Sequence, residues 1–159
     1  MLKKIISGGQ PGAARAALDW AISHHFPHGG WCPRWRHAQD GKLDERYDAL
    51  KETTLPIYTQ AKEWNVRDSD GTVVFSLEEE LDSHTQKTVD FAREQEKPCY
   101  HICGTGYETA DDLLHFIERN QIETLNIAGS HESEELGIYI YVGDLLNEAF
   151  APPPTDRDP

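Results

Sequence analysis

Positive charge is what this sequence has least of. Its 159 residues include 15 lysines and arginines against 28 aspartates and glutamates, a formal net charge of −13. Such a surface repels phosphate backbones and anionic membranes at long range, which excludes nucleic acid as a general partner. A small anion remains possible where basic groups are concentrated locally. Long hydrophobic runs are missing too: the longest are about five residues, against the roughly 20 a membrane-spanning helix requires. No membrane association is expected. Cysteine is sparse and odd in number, at Cys32, Cys99 and Cys103. With no apolar leader after Met1-Leu2-Lys3-Lys4, this predicts reduced thiols and a cytoplasmic setting. There is no internal repeat and no second core-forming stretch, so residues 1–150 read as one domain. Residues 151–159 carry Pro152-Pro153-Pro154 and are expected to be a disordered tail.

What is present alternates between two periods. Short apolar runs at 3–7, 26–31, 72–76, 98–103 and 124–128 read as strands. Between them, a stretch with Pro11 in its first turn and its end near His24-His25, then 57–64, 83–95, a stretch opening at Thr109, and a final segment carrying Ile138, Val142, Leu145 and Ala149 read as helices. Strands that are continuously apolar and separated by helices predict an α/β fold: a Rossmann-like, doubly wound, mainly parallel sheet of about five strands with helices on both faces. Ligands of such sheets bind beyond the strand C-termini. The rim residues are then Ser7 to Gly12, Trp31 to Arg36, Ser76, Gly104 to Gly106, and Gly129-Ser130.

The clearest motif is Ser7-Gly8-Gly9-Gln10-Pro11-Gly12 between the first strand and first helix. A helix start offers free N–H groups and a partial positive charge, and glycines let an anion approach the backbone. Arg15 follows closely enough to add a bidentate contact. The spacing is GGxxG. It lacks the Lys-Ser or Lys-Thr pair of an ATP-hydrolysing P-loop, and it lacks the GxGxxG loop and second-strand acid of a nicotinamide oxidoreductase. The second motif, Gly29-Gly30-Trp31-Cys32-Pro33-Arg34-Trp35-Arg36-His37, is a basic, aromatic cluster at the same rim. Trp31, Cys32 and Arg34 could supply a platform and charge for an anionic ring compound, or the two tryptophans could simply pack the loop down. Ser76 at the rim, and Thr85 and Thr88 near the start of the third helix, are further candidate donors. Cys99, His101 and Cys103 share a strand face, but successive same-face strand residues diverge from tetrahedral geometry, so no metal site is assigned. Trp64 to Gly71 precedes its strand and is read as a helix stop and turn at the opposite rim. No Ser-His-Asp or Cys-His arrangement stands out.

Ile5-Ile6-Ser7-Gly8-Gly9-Gln10, Ala16-Ala17-Leu18-Asp19, Pro27 to Pro33, Trp64 to Thr72, Lys97-Pro98 and Asn126-Ile127-Ala128-Gly129 together resemble the molybdenum carrier family, the circularly permuted YpsA-like branch of the SLOG superfamily. The resemblance runs from Lys4 to about Phe150. It implies a Rossmann-like fold, a homo-oligomer (dimer or tetramer), and a pocket for molybdate, molybdopterin or a nucleotide-like phosphate compound. Carried over by position, it points to Gly8, Gly9, Gln10, Gly12, Trp31, Cys32, Gly129, Glu132 and Ser133 as ligand residues, beside Arg15, Arg34, Ser76, Thr85 and Ser130 from the rim reading. The sequence departs from the pattern at Pro11 and Ala14, where a threonine and an aspartate are usual. It departs again at Asp82-Ser83-His84-Thr85, which lacks the usual glycines, and at Ser130-His131, where Pro-Arg is common. The expectation is a protein that binds a small anionic ligand rather than an enzyme; the alternative is a nucleotide-processing, phosphoribohydrolase-like activity.

Overall fold

The structure, a computed structural model, describes residues 1–150. The expectation for 151–159 lies outside the described residues. In chain order the elements are β1 (Lys4–Ile6), α1 (Ala13–Ser23), β2 (His28–Cys32), β3 (His37–Ala38), β4 (Gly41–Lys42), β5 (Leu50–Glu52), α2 (Tyr58–Arg67), β6 (Gly71–Ser76), α3 (Ser83–Glu94), β7 (Cys99–Cys103), α4 (Ala110–Arg119), β8 (Thr124–Gly129) and α5 (Ile138–Phe150). Six strands make one sheet in the order β5-β2-β1-β8-β6-β7, and every pairing is parallel. The sixth strand, beyond the five expected, is β5. Leu50 is its one buried residue, so its hydrophobic signal is weak. β3 and β4 form a separate antiparallel hairpin.

The central strands are buried because both faces are covered. α1, α4 and α5 pack together on one face, and α2 and α3 pair on the other. β6 is buried along its whole length, and Val73, Phe75, Leu125 and Ile127 are fully enclosed. Each such side chain contributes about 1.5–3 kcal/mol by leaving water. α1 approaches closely because it presents Ala13, Ala16, Ala17 and Ala21, all buried. It begins later than Pro11 suggested: Gly12 is its N-cap and Pro11 precedes it. The 33–52 excursion covers a smaller core of Leu18, Cys32, Ala38, Leu43, Tyr47 and Leu50.

At the N-terminal rim, Asp70 accepts from the Glu123 and Thr124 N–H groups at 3.1 and 2.9 Å, tying the start of β6 to β8. This is the structural role expected of the turn after α2. The same rim carries a broad groove bordered by Met1, Leu2, Trp20, Phe26, Ile117 and Phe150. At the C-terminal rim the chain leaves β1 and β8 for one face and β6 for the other. That divergence is a topological switch point, where doubly wound sheets open a crevice.

Candidate functional site

The crevice is a cleft between the β1 and β8 ends and the α2–α3 layer. Gly8, Gln10 and Ala14 line it from the glycine loop, Asn126 to Gly129 from β8, Tyr58, Ala61, Lys62 and Asn65 from α2, Thr88 from α3, and Pro33 and His131 from loops. Its interior offers about 40 Å³ to the centres of water-sized molecules. That is room for a few waters or one compact oxyanion; a whole nucleotide needs a pocket of about 300 Å³ or more.

The glycine loop is held by its neighbours. Gly12 pairs with His131 across an antiparallel bridge, through Ala13 N–H to Ser130 O and Glu132 N–H to Pro11 O, both 3.1 Å. Gly12 has φ 126°, and a Cβ there would collide with the Ser130 carbonyl. Gly129 has φ 153° and is pressed against the Phe75 backbone in the same way. These two glycines are demanded by close approach of β8, the loop and α1. The N–H groups of Gly8, Gly9, Gln10, Gly12 and Ala14 donate to no acceptor among the described residues. Gly9 nevertheless packs against Leu43 and Leu50, away from the cleft lining. Gln10 is locked, its amide donating to His37 O at 3.2 Å and accepting from Gln39 N–H at 2.8 Å.

Three polar groups at the cleft lack partners. Lys62 makes no hydrogen bond or ion pair with a described residue, and burial holds its pKa below the ordinary lysine value, with Asp82 and Glu134 opposing. The Thr88 hydroxyl is buried and unpartnered, as is His131 Nδ1. Burial, reinforced by Lys62 and His84, lowers the His131 pKa. Buried polar groups are normally satisfied, so two at one cleft, beside a half-buried lysine, call for an explanation.

Of the sequence-predicted residues, Gly8, Gln10 and Gly129 meet at the cleft. The others are used elsewhere. Arg15 is spent on Asp40 in a bidentate pair at 2.5 and 3.0 Å and on Gly9 O at 3.2 Å. Trp31 donates from Nε1 to Asp68 at 2.7 Å and meets the Trp64 edge at 4.8 Å. Its backbone is clamped by Asn65 at 2.8 and 3.0 Å. Cys32 points the other way, into the smaller core, as strand alternation requires. Arg34 is exposed, with its guanidinium over Trp35. Ser76 is buried between Glu78 O and His101 Nε2, 2.5 Å from each. Thr85 is held by the helix cap Asp82 at 2.8 Å. Ser130 donates to Glu135, whose other oxygen holds the Leu77 and Glu78 N–H groups at 2.9 and 2.8 Å. Glu132 caps the entry to α5 through the Gly137 and Tyr139 N–H groups, and Ser133 accepts from Gln39 at 2.9 Å.

Lys62, Asn65, Tyr58 and His131 were not singled out as ligand residues, whereas Thr88 was read as a candidate donor and does line the cleft. Lys62 and Asn65 lie one helical turn apart and so share a face of α2, which is the one local signal available.

Comparison with known proteins gives two findings. The family model described as the circularly permutated YpsA SLOG family matches residues 5–150. Among solved structures, the chain is similar to a putative molybdenum carrier protein from Syntrophus aciditrophicus SB. The likeness has a TM-score of 0.89 and 42% identity, over 95% of this chain and 96% of that one. No curated protein matches. No described helix is long and apolar enough to cross a membrane.

Proposed function

The chain belongs to the circularly permutated YpsA SLOG family, and from that premise we propose that it is a binding protein that seats a small tetrahedral oxyanion in the cleft at the end of β1 and β8. The oxyanion is either free, as molybdate, or the phosphate group of a larger ligand such as a nucleotide or molybdopterin. The observation that carries this is Lys62: a half-buried lysine with no acceptor among the described residues, lining the same cleft as Gly8 and Gln10, whose N–H groups are free there too. An unpaired, partly desolvated cation is costly, and an anion offsets the cost. The Thr88 hydroxyl supplies a further donor. The small interior suits the oxyanion alone, with the rest of a larger ligand outside, towards the stacked His37 and Tyr58 rings 5.5 Å apart.

The lining offers a lysine and a histidine and no carboxylate. Hydrolysis of an N-glycosidic bond needs an acid to activate water or meet developing positive charge. The composition therefore supports binding over the phosphoribohydrolase-like alternative. Self-association, implied by the family resemblance, is part of the same proposal and is checked by sedimentation.

Calorimetric titration with molybdate, phosphate, sulfate and adenosine monophosphate tests the reading. At least one should bind at a single site, and Thr88→Val should weaken it about tenfold, the equivalent of one hydrogen bond of about 1.4 kcal/mol. Failure of all four to bind at millimolar concentration would end the proposal.

A further inference from the structure

Beside the cleft, three metal-binding side chains converge from two rigid elements. His84 is the second residue of α3, whose start is fixed by its cap Asp82. His131 follows β8 and is pinned by the bridge to Gly12. Glu134 lies one turn on, its N–H donating to His131 O at 3.1 Å. One donor atom from each falls within 4.8 Å of the others. The His84 Nε2 to Glu134 Oε1 separation is 3.5 Å, and the two imidazoles stack at 5.1 Å.

We propose that His84, His131 and Glu134 form a binding site for one divalent transition-metal ion of the zinc type, adjoining the oxyanion cleft, whose lining includes His131. Two imidazoles and a carboxylate suit zinc, which takes nitrogen and oxygen donors at about 2.0–2.2 Å and therefore holds them about 3.3–3.6 Å apart. The His84–Glu134 pair already has that spacing. The remaining gap closes by side-chain rotation of His84 and Glu134, whose side chains are 45% and 38% exposed. His131 is fixed, with 6% of its surface exposed, and its buried Nδ1 has no partner among the described residues. A histidine buried without a hydrogen bond is costly as protein core, and a metal on one nitrogen fixes the ring and its tautomer.

Charge around the site divides. Lys62 opposes a cation, while Asp82 joins Glu134 in favouring one. Three protein ligands leave a fourth position open to water or an anion. The proposal stands whether or not the cleft takes an oxyanion.

The test is titration of the full chain, freed of metal by chelator, with Zn²⁺ by calorimetry and with Co²⁺ by visible absorption. One equivalent should bind, with the intense visible bands of four-coordinate cobalt and no sulfur-to-cobalt charge transfer. His84→Ala should weaken Zn²⁺ by about 100-fold or more, and Glu134→Gln by about tenfold. Neither residue lines the cleft, so phosphate binding should survive in both. His131→Asn is the third variant, with circular dichroism to verify folding. Absence of saturable binding overturns the site. So does binding that His84→Ala and Glu134→Gln leave unchanged, or a thiolate band, which would assign the metal to cysteine. In the natural protein, one equivalent of bound zinc without any phosphate binding would instead count against the oxyanion proposal alone.

Discussion

Replacing Lys62 by methionine should make this protein more stable and less able to bind. Methionine has nearly the same length and no charge, so the α2 packing is kept while the desolvated ammonium is removed. Substituting a buried, poorly compensated charge by an apolar side chain typically stabilises by about 1–3 kcal/mol, and for a half-buried lysine the lower part of that range, about 1–2 kcal/mol, applies. At about 2–4 °C per kcal/mol for a chain of this size, the melting temperature should rise by roughly 2–8 °C in anion-free buffer. The effect has a pH signature. The folded pKa of Lys62 lies below its unfolded value, so between the two the unfolded chain binds the extra proton. The penalty therefore grows as pH falls through that window and is complete below it. Lys62→Met should gain most at neutral pH, and the two proteins should converge above the ordinary lysine pKa. A ligand at 100 times its Kd stabilises by about 2.7 kcal/mol. With phosphate or molybdate at that level, the natural protein should gain roughly 5–10 °C, and Lys62→Met should gain none. The assay is thermal unfolding of both proteins, with and without oxyanion, across pH. A variant that melts lower at pH 7 and responds equally to oxyanion would refute the reasoning.

Gly12→Ala should cost at least about 2–3 kcal/mol in denaturant unfolding, since it combines a left-handed φ with overlap on the Ser130 carbonyl. Asp40→Asn should lose at most about 1 kcal/mol, because its carboxylate is half exposed although its Arg15 pair is bidentate. The Arg15 guanidinium lowers the Asp40 pKa, so this stabilisation is present above the unfolded carboxylate pKa and fades as pH falls through the folded one. Natural and Asp40→Asn proteins should accordingly differ at pH 6 and converge in acid. Trp31→Phe should lose about 1 kcal/mol with the Asp68 hydrogen bond and leave oxyanion affinity unchanged, whereas a ligand platform at Trp31 would lower both.

The sheet was legible because its central strands carry their own signal. Ile5-Ile6, Val73-Val74-Phe75 and Leu125 to Ala128 are apolar runs bounded by glycine, serine or charge. Gly12 was legible because nothing else fits its φ. The edge strand β5 was not, since two of its three residues face solvent. Trp31 and Cys32 were placed on the correct strand end, but alternation sends one side chain to α2 and the other into the second core. Arg15 looked free because Asp40, its partner, arrives from the hairpin turn 25 residues away. Thr88 was legible as a hydroxyl near a helix start, but Lys62 is a single polar residue in an ordinary amphipathic helix, and only the packing of α2 and α3 on the sheet gives the two a shared target. His84 and His131 stand in two segments that departed from the family pattern. Each was read there as a missing feature, because no local spacing links α3 to the loop after β8.

The groove at the N-terminal rim sets the orientation of any attachment made through Met1. A linker fused there emerges on the side of the molecule remote from β1's exit, with the full height of the sheet in between. Captured on a sensor chip by such a linker, the protein would present its cleft outward, to the flowing analyte. Tethering at that end is therefore suited to measuring weak, fast-exchanging oxyanions without the surface obstructing entry.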